Sequence, residues 1–466
     1  MLENNGTTLK EAGQLVLNAL SEYMDESRAG LTTVVNMQSI KSVSDELKLD
    51  KYIRKGGLDL KGLQVFLQSY LQNSMHMHHP AYIGHQVAVP HFASGLSDLI
   101  HGVIGNAMSI YEMGPTAAAA EQAVIRWMLE KIGWTEEGAG VLTNGGSIAN
   151  LHAMLAARAH IAPDAWQAGN PNDLVVLCPE NAHYCIHRAV SMMGLGSTNV
   201  LVIPTDRNEM IDPNGLQELV HSQKAEGKRI MAVVANACAT STGLYDPIEA
   251  IAKLCHAEKI WFHLDSPHGA TALLSVKYRH YLKGIELADS MVWDAHKMMQ
   301  TSALCTGILF RKRTHLENTF SQKATYLFHD KKNLGVDVLA HQVECTKSAL
   351  GTKLFMVLAS IGEKELGNFV AKLYDQSRSF AHLINQRPGF TSPFPIHSNI
   401  VCFQYQPDIY DQLALRNKLI ETGKFYISST EIKGKRYLRL TVMNLSTSKE
   451  TIEHLLDQIE VIANNE

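Results

Sequence analysis

The chain has 466 residues, enough for two to three domains, and its 45% hydrophobic and 19% charged content is typical of globular rather than disordered proteins. A formal net charge of −4 without a basic stripe argues against nucleic-acid binding. Seven scattered cysteines without a CxxC pair, and no apolar run near the ~18 residues of a membrane span, favour a cytoplasmic protein with no membrane partner.

The chain opens with a predicted amphipathic helix over residues 8–26. Its apolar residues at helical spacing are Leu9, Ala12, Val16, Leu20 and Tyr23. An apolar face of this kind needs a surface to pack against. That surface could belong to another domain or to another subunit; we expect a homodimer with its sites at the interface, in which residues 1–95 form a helical segment that packs on the partner subunit.

Residues 96–345 predict a large α/β domain, because short β-branched apolar runs alternate with helical stretches. The runs are continuously apolar, as in strands buried on both faces of a mostly parallel sheet. The predicted strands are 173–180, 199–205, 229–238, 259–266, 289–296 and 305–313.

Residues 346–466 predict a smaller α+β domain. A long amphipathic helix comes first, followed by strands in SNIVCFQY, FYISST and YLRLTVM. The final stretch is typical of a capped helix, with Thr447 as the N-cap and Glu450 three residues later.

Two features could serve an anionic ligand. In TNGGSIANLHAMLAAR (143–158), a glycine pair followed by Ser147 begins a helix, where bare backbone N–H groups and a hydroxyl can bind an anion. The same residues also suit an ordinary helix-capping turn. His183 follows a predicted strand and could be either a functional residue or a plain surface residue.

Two further features lie at strand ends, where ligands bind in open α/β sheets. Asp265 ends the strand in IWFHLDSPHGA, where a carboxylate needs a cationic or hydrogen-bonding partner, unless it simply caps the next helix. Lys297 follows the strand in DSMVWDAHKMM. A desolvated lysine there is a nucleophile for Schiff-base chemistry, whereas a solvated lysine would sit on a turn without a role.

Together these features match the needs of pyridoxal 5'-phosphate: a lysine for covalent attachment, an acid for the ring nitrogen and an anion cradle. From His79 to Asn444 the sequence resembles the group II pyridoxal-phosphate decarboxylases, most specifically in WDAHKMM and HLDSPHGA. The resemblance implies an aspartate-aminotransferase-like fold (PLP fold type I) and an amino-acid decarboxylase that releases CO2 and an amine.

The resemblance also implies residue roles. Lys297 would hold the cofactor, Asp265 would pair with its ring nitrogen and His183 would stack on the ring. The other expected cofactor contacts are Gly146, Ser147 and His296 at the phosphate and Thr240 beside the ring. Tyr326, in ATYLFHD, would protonate the substrate's α-carbon. The expected substrate contacts are His85, Gln86 and Arg439.

Several positions depart from the family pattern. Asp294 stands near the phosphate where many relatives have asparagine, Pro267 replaces a small alanine, and ECTKS (344–348) lacks a glycine-arginine pair. The resemblance leans slightly toward 2,4-diaminobutyrate, with glutamate close behind. His76, His78 and His79 lack metal-site spacing, so no metal is expected.

Other functions stay open on the sequence alone. An aldehyde-forming oxidative deamination or a carbon–carbon lyase reaction would use the same cofactor, although aldehyde-forming relatives commonly carry phenylalanine where Tyr326 stands. A catalytically silent protein that binds a phosphorylated ligand is disfavoured because Lys297, Asp265 and His183 occur together.

Overall fold

The computed structural model describes residues 2–320 and 335–465 and divides into two compact units. The first unit comprises Met1–His85, Gln376–Pro393 and Ile400–Glu466, and the second comprises Gln86–Asp375 and Phe394–Asn399. The first unit thus joins the start of the chain to its end, whereas the expected segments 1–95, 96–345 and 346–466 follow sequence order. The packing of the N-terminal segment on a partner subunit stays a prediction.

The first unit begins with helices. They are α1 (Gly6–Arg28), α2 (Ile40–Glu46), α3 (Leu49–Lys55) and α4 (Leu60–Gln72). Helix α1 confirms the predicted amphipathic helix; the Asn5 side chain caps it by accepting from the Thr8 N–H. It packs on α4 and leaves Leu9, Leu17 and Leu20 exposed.

The second unit is built around a seven-stranded sheet. Its strands are β1 (Ala139–Thr143), β2 (Leu174–Pro179), β3 (Val200–Ile203), β4 (Arg229–Asn236), β5 (Trp261–Asp265), β6 (Ser290–Asp294) and β7 (Thr306–Phe310). The order is β1-β7-β6-β5-β4-β2-β3; β7 is antiparallel to both neighbours and the other pairings are parallel. The six predicted strands and the mostly parallel sheet are confirmed, whereas β1 was not predicted.

The second unit also contains helices. They are α5 (Phe92–Ile104), α6 (Pro115–Ile132), α7 (Gly146–Ile161), α8 (Ala165–Ala168), α9 (Cys185–Met192), α10 (Pro213–Ala225), α11 (Ile248–Glu258) and α12 (Arg313–Glu317). The strands β1, β2, β5, β6 and β7 are buried along their whole length, as expected for a sheet covered on both faces. Helix α13 (Leu350–Gln386) follows, interrupted at Gly362, whose backbone is not helical.

The first unit also contains a four-stranded antiparallel sheet. Its strands are β8 (Phe390–Thr391), β9 (Ile400–Tyr405), β10 (Ser428–Ile432) and β11 (Lys435–Thr441), in the order β10-β11-β9-β8. Helices α14 (Gln412–Glu421) and α15 (Lys449–Asn464) accompany it. The three predicted C-terminal strands and the final helix are confirmed.

The predicted cap of α15 is wrong by one residue. Ser448 is the N-cap, because its hydroxyl accepts from the Thr451 N–H while the Thr451 hydroxyl accepts from the Ser448 N–H. The Thr447 hydroxyl instead donates to the carbonyl of Pro80. Adjacent hydroxyl residues can both serve as caps, and a distant carbonyl decides between them. No helix in the described part of the chain is long and apolar enough to span a membrane.

Candidate active site

The candidate site lies at one edge of the large sheet. Because β1 and β6 are both antiparallel to β7, they run in the same direction. The carboxyl ends of β1, β2, β4, β5 and β6 therefore meet at one edge, where α/β proteins bind ligands. Asp265 ends β5 and Asp294 ends β6. Lys297 follows β6, His183 follows β2 and Thr240 follows β4.

The glycine turn after β1 forms a cradle for an anion. Helix α7 begins at Gly146 and is preceded by Gly145, whose φ of 105° suits a glycine. Ser147, in the first turn of α7, is exposed and can contribute a hydroxyl to an anion. A Cβ on Gly146 would lie 3.6 Å from Oδ1 of Asp294 and 4.0 Å from Cβ of Pro267. The missing side chain therefore leaves space between the helix N-terminus and the end of β6.

Asp294 faces this space instead of turning away from it. Its buried carboxylate accepts from the Thr306 hydroxyl at 2.5 Å and lies 3.4 Å from Nζ of Lys297. Both Nζ of Lys297 and Nε2 of His296 approach Oδ2 of Asp294, and the His296 nitrogen lies 3.5 Å from it. Lys297, His296 and Gly146 are thus brought together around one carboxylate.

Asp265 is a buried acid next to cationic groups. Burial raises the pKa of its carboxyl, while the amide of Asn150 and the charges of His183 and Lys297 lower it. Burial in turn lowers the pKa of His183, an effect that Asp265 opposes. The charges of His183 and Lys297 thus act on Asp265, and the cofactor contacts expected for these three residues stay predictions. Thr240 is half-buried in the turn after β4.

A chain of buried hydrogen bonds leads away from Asp265. Nδ2 of Asn150 donates to Oδ1 of Asp265 at 3.0 Å, and Oδ1 of Asn150 lies 2.7 Å from Nε2 of His263. Nδ1 of His263 lies 2.8 Å from the hydroxyl of Ser290, which accepts from Nε1 of Trp261 at 2.9 Å. All five side chains belong to the second unit and are buried.

The predicted substrate residues divide between the units. In the first unit, Nε2 of the exposed His85 lies 3.0 Å from the Tyr426 hydroxyl. Partial desolvation of its ring, together with the charges of Arg439 and Arg416, lowers the pKa of His85. Arg439, on β11, is buried and donates to the Ser428 hydroxyl at 3.1 Å. Gln86 is buried in the second unit.

Two other expectations concern Tyr326 and metals. Tyr326 lies outside the described residues. Within 2–320 and 335–465, no three histidine, cysteine or acidic residues are grouped to hold a metal ion. The ring of His76, one of the residues considered for a metal, is engaged by the Thr32 hydroxyl and the Leu71 carbonyl.

The residues behind Asp265 are not predicted from the sequence. His263 stands two residues before Asp265 on β5 and therefore points to the same face of the sheet. Asn150 lies in the first turns of α7, near the predicted anion cradle. Alternation along β5 could have pointed to His263, but no local signal links Asn150 to a carboxylate 115 positions away.

The residues at the sheet edge fit pyridoxal phosphate. The buried Asp265 carboxylate requires a positive partner, which a protonated pyridine ring supplies, and Lys297 is close enough for its charge to act on Asp265. Gly146 and the N-terminus of α7 leave room for a phosphate. Asp294, which lies beside this space, carries a charge that opposes a phosphate.

Comparison with known proteins agrees with this fit. Residues 63–406 match the model of the pyridoxal-dependent decarboxylase conserved domain. The mouse acidic amino acid decarboxylase GADL1 is 28% identical, over 99% of this chain and 88% of the relative. The L-2,4-diaminobutyrate decarboxylase of Acinetobacter baumannii is 26% identical, over 86% of this chain and 83% of the relative.

The solved structures show the same fold. The crystal structure of mouse CSAD superposes with a TM-score of 0.90 at 24% identity and covers 99% of both chains. The expected aspartate-aminotransferase-like fold is thereby confirmed. Since the family model covers most of the chain, this protein belongs to the pyridoxal-dependent decarboxylase family and is a pyridoxal-phosphate-dependent amino-acid decarboxylase.

Proposed function

We propose that the substrate is an acidic L-amino acid, such as glutamate, aspartate or cysteine sulfinate. The observation that carries this proposal is that Arg416 lies 5.7 Å from the ring centroid of Tyr426, whose hydroxyl contacts His85, and that the charges of Arg416 and Arg439 both act on His85. Arg416 donates to the carbonyl of Ile427 and the side chain of Asn417, both uncharged, so these contacts leave its charge uncompensated. A substrate with a second negative group is attracted to these positive charges, whereas the ammonium of diaminobutyrate is repelled.

The relatives support the same substrate class, although not uniformly. GADL1 is named an acidic amino acid decarboxylase, and a human cysteine sulfinic acid decarboxylase is 27% identical over 89% of both chains. The diaminobutyrate decarboxylase of Acinetobacter baumannii is similar at 26% identity. Diaminobutyrate, which the sequence resemblance slightly favoured, is therefore the competing substrate to test.

The proposed residue roles follow from the chemistry of the site. Pyridoxal phosphate, when bound, supplies the electron sink for the bond that breaks as carbon dioxide leaves. Lys297 holds the cofactor covalently, Asp265 keeps a proton on the ring nitrogen and His183 packs against the ring. The phosphate contacts are Gly146, Ser147 and His296, and Thr240 lies beside the ring.

The proton that replaces carbon dioxide comes from Tyr326 in this proposal. A hydroxyl near the α-carbon delivers the proton there and completes the amine. Tyr326→Phe should lower amine formation and produce aldehyde with consumption of oxygen. Unchanged amine formation in this variant would assign the proton to another group. The readout is the amine-to-aldehyde ratio from holoenzyme in air-saturated buffer.

The protein is proposed to act as a cytoplasmic homodimer. Helix α5 exposes an apolar stripe, formed by Phe92, Leu96, Leu99, Ile100, Val103 and Ile104. A second copy would bury this stripe. The seven cysteines are free, which suits a reducing compartment. Light scattering should give a dimer, and Leu99→Glu should shift it toward monomer; a wild-type monomer would contradict the proposal.

The substrate proposal is tested by measuring carbon dioxide and amine release from cofactor-loaded protein. We expect kcat/KM for an acidic substrate to exceed that for diaminobutyrate at least tenfold, a difference of about 1.4 kcal/mol. A higher kcat/KM for diaminobutyrate would contradict the proposal and make diaminobutyrate the substrate.

The role of Arg439 needs a matched control on the same strand. Arg439→Gln should raise KM for the acidic substrate. Arg436→Gln, also on β11, removes only the pairing with Glu431, at 2.7 Å, and should leave KM unchanged. Equal effects of the two variants would show that Arg439 has no special part in substrate binding.

A further inference from the structure

When Asp265 is ionised, the hydrogen bonds behind it can run in only one direction. The indole N–H of Trp261 can only donate, and an ionised Asp265 can only accept. The amide of Asn150 must therefore turn Nδ2 toward Asp265, where it lies 3.0 Å from Oδ1, and Oδ1 toward the ring nitrogen 2.7 Å away. An ionised Asp265 thus fixes the orientation of the Asn150 amide, which turns its oxygen toward His263.

The constraint also fixes the histidine tautomer. Oδ1 of Asn150 accepts, so Nε2 of His263 carries the hydrogen. Burial lowers the pKa of His263 to about 3, so the ring is neutral and Nδ1 is an acceptor. The Ser290 hydroxyl then donates to Nδ1 and accepts from Trp261, which satisfies each of its contacts at 2.8 and 2.9 Å.

Every hydrogen in this chain therefore points toward Asp265. Hydrogen bonds in a row polarise one another, and a low-dielectric surrounding strengthens them. A bond donated to the charged form of an acid favours that form. This matters here because Asp265 is almost fully buried, and burial alone favours the protonated acid.

We infer that His263 and Asn150 are positioning residues for Asp265, at the end of a one-way donor chain that keeps its carboxylate ionised beside the cofactor's ring nitrogen. The inference rests on the proposed role of Asp265. In a dry site a carboxylate and a pyridine can share one proton in two ways, as an ion pair or as a neutral pair. The donor chain favours the ion pair, with the proton on the ring.

The test follows the proton on the ring nitrogen. Protein loaded with pyridoxal phosphate labelled with ¹⁵N in the ring reports protonation through the nitrogen chemical shift. His263→Leu should move this shift toward the unprotonated value and lower kcat about tenfold or more, with KM within about twofold. His263→Gln keeps an N–H that can reach Asn150, so it should restore most of the nitrogen chemical shift and most of kcat. An unmoved shift in His263→Leu would overturn the inference.

Two further variants separate this effect from general loss of structure. Ser290→Ala removes the donor to Nδ1 of His263 and should shift the nitrogen signal in the same direction by a smaller amount. Thr271→Val is the matched control. The Thr271 hydroxyl also accepts from a tryptophan N–H, that of Trp293 at 2.9 Å, but Thr271 is not part of the donor chain that leads to Asp265. A shift in Thr271→Val equal to that in Ser290→Ala would also overturn the inference.

Asp265→Asn separates this inference from the proposed role of Asp265. The variant should move the nitrogen shift fully to the unprotonated value. If it leaves the shift unchanged, Asp265 does not serve the ring nitrogen and both proposals fail. If it moves the shift while His263→Leu does not, Asp265 keeps its role and only the donor chain is overturned.

Discussion

The buried ion pair between Lys347 and Glu121 offers a quantitative test of how the glycine turn is supported. The two side chains are 0% and 1% exposed, and Nζ lies 2.6 Å from Oε1. Nζ also donates to the carbonyl of Leu142, whose N–H donates to the same Oε1. The pair therefore clamps both backbone groups of Leu142 near the end of β1, just before the turn at Gly145.

Lys347→Met should be strongly destabilising. Methionine fills a similar volume but leaves the carboxylate of Glu121 buried without a cation, which costs about 3–5 kcal/mol. At about 2 °C per kcal/mol for a unit of this size, the melting temperature should fall by about 6–10 °C. The measurement is scanning calorimetry of the cofactor-loaded protein at one fixed scan rate.

Two controls show whether the unpaired charge is the cause. Adding Glu121→Gln to Lys347→Met removes that charge and keeps an acceptor for Leu142, so most of the loss should be recovered. Lys253→Met breaks an exposed pair with Glu249, which retains Lys283, and should not change the melting temperature. A Lys347→Met protein that melts within about 2 °C of wild type would refute the reasoning.

Three further predictions concern the cofactor and pH. Lys297→Ala should abolish the visible absorption of the bound cofactor; protein that stays yellow would contradict its assignment. Asp294→Asn removes a charge beside the cradle and keeps an acceptor for Thr306, so cofactor should bind the apoprotein about tenfold more tightly in absorbance titrations, whereas weaker binding would show that the carboxylate helps. Burial lowers the pKa of His78 to about 4 from 6.5, so stability should fall as pH drops through that range, since the unfolded chain takes up the proton first. His78→Gln should flatten the melting temperature over this window, and an equally steep dependence would rule out His78 as its source.

Much of the second unit could be predicted because its signals are local. Strands buried on both faces are continuous apolar runs, so all six predicted strands form. Parallel strands also bring their carboxyl ends to one edge, and this geometry gathers Asp265, Lys297 and His183 without knowledge of their side-chain contacts. Strand β1 was not predicted because it is short and contains Gly140, which weakens its β-strand pattern.

Other features depend on contacts between distant residues. Lys297 was singled out because a buried lysine is rare, yet Lys347 is more deeply buried and has a structural partner. No local pattern distinguishes these two lysines, because the difference lies in what surrounds them. Likewise, whether Asp294 faces the cradle or turns away depends on Thr306, which only the pairing of β6 with β7 brings opposite it.

The donor chain from Trp261 to Asp265 has a consequence for how this protein can change over evolutionary time. Each internal residue of the donor chain both donates and accepts a hydrogen bond. Replacing one of them alone therefore leaves a buried polar atom on each side without its hydrogen-bond partner. Such a chain is expected to vary as a block, with several positions replaced together or none. Among homologous sequences, Asn150 should therefore covary with His263 and Ser290 more strongly than with its neighbours on α7.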